Sequence, residues 1–172
     1  MQAGKTTTCD HLVKNHGYTK VGFKDALVKE MKENVANLLQ SLSEHYEMSI
    51  DDLFQKKPVL MRKLMQDYGT GIRRRDDEDY WIKLWKEQVV GTNVCVDDVR
   101  FKNELKAVRG AGGIIIRIVR KGQENNSTHP SETELLNEHA DFTIEAGEGE
   151  KDRLYTGIDT ILGLLSVRSN ED

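Results

Sequence analysis

The 172-residue chain is sparing with residues that mark several protein classes. Its two cysteines, Cys9 and Cys95, form no spaced metal motif. That excludes a disulfide scaffold and a cysteine-built zinc module, and reads as two reduced thiols of a cytoplasmic protein. No apolar run approaches the ~20 residues a membrane helix needs. No signal peptide is visible either, so no membrane partner is expected. Positive charge is not in excess: the net charge is −4. With no global basic field, a nucleic-acid polymer is not an expected partner. Internal repeats and low-complexity tracts are also missing. What remains is 37% hydrophobic and 31% charged, the balance of a globular domain with a proper core, expected as one unit over residues 1–172.

Apolar periodicity divides the chain into alternating elements. Thr6 to His16 reads as a helix, with Gly17 as the left-handed residue after it. Tyr18 to Phe23 is a strand candidate. Asp25 can cap a long helix with Leu27, Met31, Val35, Leu38 and Leu42 on one buried stripe. Asp51 to Gln55 suits a short helix. Pro58 suits the first turn of another, which Gly69 should end. Asp76 or Asp77 can cap a helix holding Trp81, Leu84 and Trp85. Asn93 to Val96 and Ile114 to Val119 are β-branched runs suited to strands covered on both faces. Between them lies a helix with Leu105 and Val108, breaking over Gly110 to Gly113. Ser131 to Glu134 has the form of a capping box. Asp141 to Glu145 is a last short strand, and Leu154, Ile158, Ile161, Leu162 and Leu165 mark a final helix. The pattern predicts an α/β fold, a mostly parallel sheet with helices on both faces. Ligands of such folds sit at the carboxyl ends of the strands, here after Phe23, Val96 and Val119.

The first seven residues, Met1-Gln2-Ala3-Gly4-Lys5-Thr6-Thr7, match the end of G-x-x-x-x-G-K-[ST]. Such a loop wraps phosphate oxygens in backbone N–H groups at a helix N-terminus. Lys5 would reach the β- and γ-phosphates, and Thr6 would ligate Mg²⁺. The first glycine of the motif would lie two positions before Met1, and the strand that launches the loop would precede it. The natural chain is therefore expected to start upstream. The plain alternative is an ordinary helix start with a solvated lysine.

Val94-Cys95-Val96-Asp97-Asp98-Val99-Arg100-Phe101 runs from a buried strand into two carboxylates and an arginine. An acidic residue at that place holds Mg²⁺ or its waters opposite the loop threonine. Arg100 suits bidentate recognition of a phosphate. The alternative is a solvated turn. Arg62 and Gln66, four apart, share a helix face that could meet a base edge and a phosphate. Arg73 and Arg74 could clamp an acceptor nucleotide, while Arg75 reads as solvated. Asp25 follows a strand end and is either a cap or a substrate contact. Phe23 is either a core ring or a base-stacking one. Arg117 and Arg120 precede the polar stretch 121–134, a lid-like segment that could exclude water during phosphoryl transfer. His129 has no metal-ligand partner at suitable spacing.

These segments, in this order, resemble the phage-type deoxynucleoside monophosphate kinases, within the P-loop nucleoside monophosphate kinase group. The resemblance rests on Ala3 to Thr7, Phe23 to Leu27, Leu64 to Thr70, Asp79 to Ile82, Val96 to Glu104 and His129 to Glu132. It implies transfer of the γ-phosphoryl of ATP to a deoxynucleoside 5′-monophosphate in the cytoplasm, that of the host if phage-encoded. Ala3, Gly4, Lys5, Thr6 and Thr7 would hold the donor. Thr6 and Asp97 would place Mg²⁺. Asp25, Arg62, Gln66, Arg73, Arg74, Arg100 and Glu104 would hold the acceptor, within a helical region over 24–90. Lys5, Arg100 and Arg120 would stabilise charge on the transferring group. No general base is implied, because the acceptor phosphate is already an anion.

Two other readings stay open. One is a small-metabolite kinase of the same fold, against which the arginine-rich acceptor side argues. The other is a non-catalytic nucleotide-binding or interaction protein with a shortened loop. A homodimer is also left open, since Tyr80, Trp81 and Trp85 suit either a dimer contact or a core.

Overall fold

In a computed structural model, residues 4–91, 93–122 and 133–168 are described. They divide into two compact units, Met1–Lys20 with Gly91–Asp172, and Val21–Val90.

The first unit is mixed α/β. Helix α1 (Lys5–His16) starts at Gly4, whose φ of 94° is a left-handed conformation that glycine alone adopts cheaply. It ends at Gly17 (φ 67°), as expected, where the N–H groups of Gly17 and Tyr18 turn back to Leu12 O. Strand β1 (Thr19–Lys20) pairs in parallel with β2 (Val94–Cys95), Thr19 opposite Val94. Helix α7 (Lys102–Gly110) follows β2. Strand β3 (Ile116–Arg120) pairs in parallel with β4 (Phe142–Ala146). The last helix, α8 (Lys151–Arg168), packs on β4 and α1. Cys9, Leu12, Cys95, Ile144, Leu154, Ile158 and Ile161 form the core. Ile158 is wholly buried, worth about 1.5–3 kcal/mol of transfer free energy.

The second unit is helical: α2 (Phe23–Asn34), α3 (Ala36–Tyr46), α4 (Ile50–Lys56), α5 (Val59–Gln66), a π-helical segment (Asp67–Arg74) and α6 (Tyr80–Gln88). Met31, Leu39, Leu53 and Met61 are fully buried at its centre, with Trp81 beside them.

Several local expectations change. The strands pair two by two among the described residues, rather than forming one sheet. With one neighbour each, they keep an open edge, and every residue of β3 is only half-buried instead of covered on both faces. The long helix expected from Asp25 breaks at Val35 (φ −126°, ψ 31°). The break resets the helical phase, so Leu39 is buried and Leu38 is 45% exposed. Gly22, not Asp25, is the N-cap of α2. Asp25 sits at the third position and accepts from Gly22 N–H at 2.7 Å. Pro58 is the residue before α5, not its first turn. Gly69 does not end that helix, because the chain continues through it as a π-helix. Asp79 precedes α6, while Asp77 accepts from Asp79 N–H at 3.1 Å. Both tryptophans belong to the core, with Trp81 Nε1 donating to Gly69 O and Trp85 Nε1 to Val21 O. Phe23 is likewise a core ring, packed against Trp85. The capping box over 131–134 lies largely outside the described residues, as do most of the lid-like segment and His129.

Candidate phosphate-binding site

The site of the first unit begins with a glycine that cannot be replaced without strain. A Cβ on Gly4 would lie 2.7 Å from Leu154 Cδ1 and 3.6 Å from Ile118 Cγ2. The turn therefore presses against the core while α1 opens behind it. Thr8 fastens the turn: its N–H and hydroxyl both donate to Gly4 O, at 2.9 and 3.0 Å. Lys5 and Thr6 occupy the exposed first turn of α1, where N–H groups lack intrahelical partners. Thr7 is half-buried beside them. Ala3 lies outside the described residues.

Across from this turn stands Asp97, just past the end of β2. Thr6 Oγ1 donates to Asp97 Oδ2 at 2.7 Å, although the residues lie 91 positions apart. The Asp97 side chain is 1% exposed, and Lys20 Nζ approaches the same oxygen to 2.6 Å. Asp98 is buried as well. Buried carboxylates need partners, so the solvated-turn reading of this segment fails. Lys20, at the end of β1, was not singled out from the sequence. Its signal was its place at a strand's carboxyl end. Burial works against its charge, but the hydrogen bond and attraction to Asp97, with help from Asp10, prevail and raise its pKa. Hydroxyl and carboxylate oxygens are the donors Mg²⁺ prefers, so Thr6 and Asp97 fit that ion.

Glu104 and Arg100 act on each other through the backbone. Glu104 Oε2 accepts from Arg100 N–H at 2.8 Å and Phe101 N–H at 3.1 Å. Glu104 is 4% exposed, so it shapes the turn that carries Arg100 and stands back from solvent. Arg120 pairs with Glu148 at 2.8 Å. Arg117 donates to the carbonyls of Leu135 and Glu138 and thereby braces the chain before β4. Cys9 and Cys95 are both buried. Cys95 Sγ donates to Cys9 O at 3.7 Å, and the neighbouring Cys95 together with burial pushes the Cys9 thiol up.

In the second unit, Arg62 is exposed and Gln66 half-buried on α5. Arg73 and Arg74 lie on the π-helical segment, both half-buried. Arg73 is held by Glu30, a residue the sequence reading passed over. Tyr68 OH donates to Glu30 Oε1 at 2.8 Å and Tyr80 OH to Oε2 at 2.6 Å, while Arg73 Nε donates to Oε1. The guanidinium also lies 5.5 Å and 5.4 Å from the Tyr68 and Tyr80 ring centroids, a cation–π arrangement. Burial raises the Glu30 pKa, but the hydrogen bonds from Tyr80, Tyr68 and Arg73 outweigh it and bring the carboxyl below its usual range. The i→i+5 repeat of a π-helix brings Tyr68 and Arg73, five apart, onto a shared face. An α-helix would not, which is why spacing gave no hint of the pair.

Comparison with known proteins adds independent findings. The deoxynucleotide monophosphate kinase family matches residues 12–158. The match starts after Lys5 and Thr6 and runs through both units. A protein of Acanthamoeba polyphaga mimivirus, provisionally described as a deoxynucleotide monophosphate kinase, is 30% identical over 151 residues, covering 77% of each chain. The deoxynucleotide monophosphate kinase of Enterobacteria phage T4 is 32% identical over 112 residues, 61% of this chain and 46% of that one. The corresponding kinase of Escherichia phage RB69 is 32% identical over 109 residues, 59% of this chain and 44% of its own. The chain thus spans about half the length of the two bacteriophage relatives.

Proposed function

This chain belongs to the deoxynucleotide monophosphate kinase family, phosphotransferases of deoxynucleoside monophosphates, and we propose that it moves the γ-phosphoryl of ATP to a deoxynucleoside 5′-monophosphate with Mg²⁺. The observation that supports this most is the 2.7 Å contact between Thr6 and the buried Asp97. Two segments 91 residues apart deliver the two oxygen ligands that phosphoryl transfer needs.

On this reading the Gly4 turn and the first N–H groups of α1 cradle donor phosphates. Lys5 neutralises charge on the β- and γ-phosphates. Thr6 and Asp97 would hold Mg²⁺, which when bound offsets charge on the donor phosphates. Lys20 keeps Asp97 in place by pairing with Oδ2, the oxygen that Thr6 also meets. Arg100, set by Glu104, grips the acceptor phosphate. Arg62, Gln66, Arg73 and Arg74 are the acceptor-holding residues of the second unit, with Glu30 aiming Arg73. Asp25 contributes through its cap on α2. Arg120 exchanges Glu148 for the charge that develops on the transferring group. Catalysis is then mostly positioning and charge stabilisation. The protein would work as a cytoplasmic enzyme, and none of its described helices is long and apolar enough to cross a membrane.

The test is an ATP-coupled assay across the four common deoxynucleoside monophosphates, with Lys5→Ala beside the parent. Diphosphate formation by the parent and a loss of about 10²–10³-fold in kcat for the variant are expected, the scale for removing one charge stabiliser. Nucleotide binding by the parent with no product would favour a binding module instead. Equal turnover by both proteins would remove Lys5 from the mechanism.

A further inference from the structure

At the opposite end of α1 from Lys5, two imidazoles converge on one carboxylate. His11 Nε2 and His16 Nε2 each lie 2.8 Å from Asp159 Oδ1, on α8, almost 150 residues away in sequence. The three ligating atoms all fall within 4.8 Å of one another. Tetrahedral Zn²⁺ with bonds of about 2.0–2.1 Å spaces its ligands about 3.3 Å apart. Each 2.8 Å imidazole–carboxylate separation would have to widen by about half an ångström to admit such an ion.

We propose that His11, His16 and Asp159 form a binding site for a divalent transition metal of the zinc class, which fastens the end of α1 to α8.

The surroundings of His11 are those of a metal ligand. Its other ring nitrogen, Nδ1, is 2.9 Å from Asn15 Nδ2. The side-chain amide can turn to present its oxygen to an Nδ1–H, which frees the Nε2 lone pair for the ion. Metal-bound histidines are usually held by such an outer partner. The His11 ring is also stacked on Tyr155, 4.4 Å between centroids and 11° between planes. Its side chain is 11% exposed, whereas Asp159 is 49% exposed. The ring is thus fixed in place, and the carboxylate leaves a route for entry from solvent. His16 ends α1, where the helix dipole favours positive charge.

The ligand chemistry separates this place from the Thr6–Asp97 pair. Two imidazoles and one carboxylate suit Zn²⁺, Co²⁺, Ni²⁺ or Cu²⁺. Mg²⁺ prefers all-oxygen sites. Since no step of the phosphoryl transfer passes through these residues, the site stands or falls independently of that reaction.

The test is zinc binding by the tag-free full chain, read by competition with a chromophoric chelator, together with the visible spectrum of the Co²⁺-loaded protein. One Zn²⁺ per chain, undiminished by excess Mg²⁺, is expected, with a rise in melting temperature. His16→Gln and Asp159→Asn alter exposed positions and should weaken binding by more than ~100-fold, beyond the loss typical of a supporting residue. Asn15→Ala should cost about 10-fold. Co²⁺ should show d–d bands without thiolate charge transfer. Equal zinc affinity in the parent and both ligand variants would overturn the proposal. So would a thiolate band abolished by Cys9→Ser, which would move the metal to the cysteines.

Discussion

Asp97 and Glu30 are two carboxylates drawn into the protein, and their companions differ in kind. Asp97 meets a threonine hydroxyl and a lysine, on a turn whose neighbours Lys5 and Thr6 face solvent. Glu30 meets two tyrosine hydroxyls and an arginine, with the rings flanking the guanidinium. Small, exchangeable donors beside an exposed helix start leave room for a ligand to take over. Aromatic donors packed around a guanidinium resist such exchange and fix geometry. Under the proposed function the first carboxylate serves the chemistry, and the second braces Arg73.

The sharpest way to break this contrast is to neutralise each carboxylate in turn. Asp97→Asn should lower kcat by about 10²–10³-fold, and loss of the buried pair with Lys20 should lower the melting temperature as well. A variant that keeps full turnover would put Asp97 on the structural side with Glu30. Gly4→Ala is expected to act on both stability and activity. The φ of 94° and the 2.7 Å approach to Leu154 should cost about 1–3 kcal/mol, seen as an earlier urea midpoint. An unchanged midpoint would mean that the turn does not press on the core.

Glu30→Gln should cost about 1–3 kcal/mol, because the Arg73 and tyrosine donors lose a charged acceptor. The pH dependence has a definite sign. A carboxyl with a lowered folded pKa contributes its full stability above the unfolded value, near 4.5, and loses it as pH falls through the folded value. The stability gap between parent and Glu30→Gln should thus shrink below about pH 4.5. Urea midpoints from pH 7 to 3 measure it, and a constant gap would refute the assignment. The smallest effect is expected for Arg62→Ala, exposed on α5. It should raise KM for the monophosphate with kcat nearly unchanged, the signature of lost uniform binding.

The parts of the site that could be read along the chain are those made by contiguous residues. Gly4-Lys5-Thr6 and the strand running into Asp97 carry their chemistry in short strings. Gly17 announced the end of α1. Lys20 and Glu30 carried no such string, because each gains meaning only from a partner far along the sequence. The break at Val35 escaped as well. Leu38 and Leu39 are equally apolar, and only packing against α2 and α4 chooses between them. The passage through Gly69 failed for a related reason. Glycine favours stopping a helix by a modest amount, about 1 kcal/mol, and the burial of Tyr68 and Trp81 around it outweighs that preference.

By itself, the order of residues indicated an α/β chain with parallel strands and marked short segments suited to phosphate, since backbone periodicity and loop motifs are local properties. Tertiary structure alone decided that Lys20 joins Asp97, that Arg73 is tied to Glu30, and that His11 and His16 face Asp159. Those meetings depend on how apolar faces bury against one another, and such packing is a property of the whole fold.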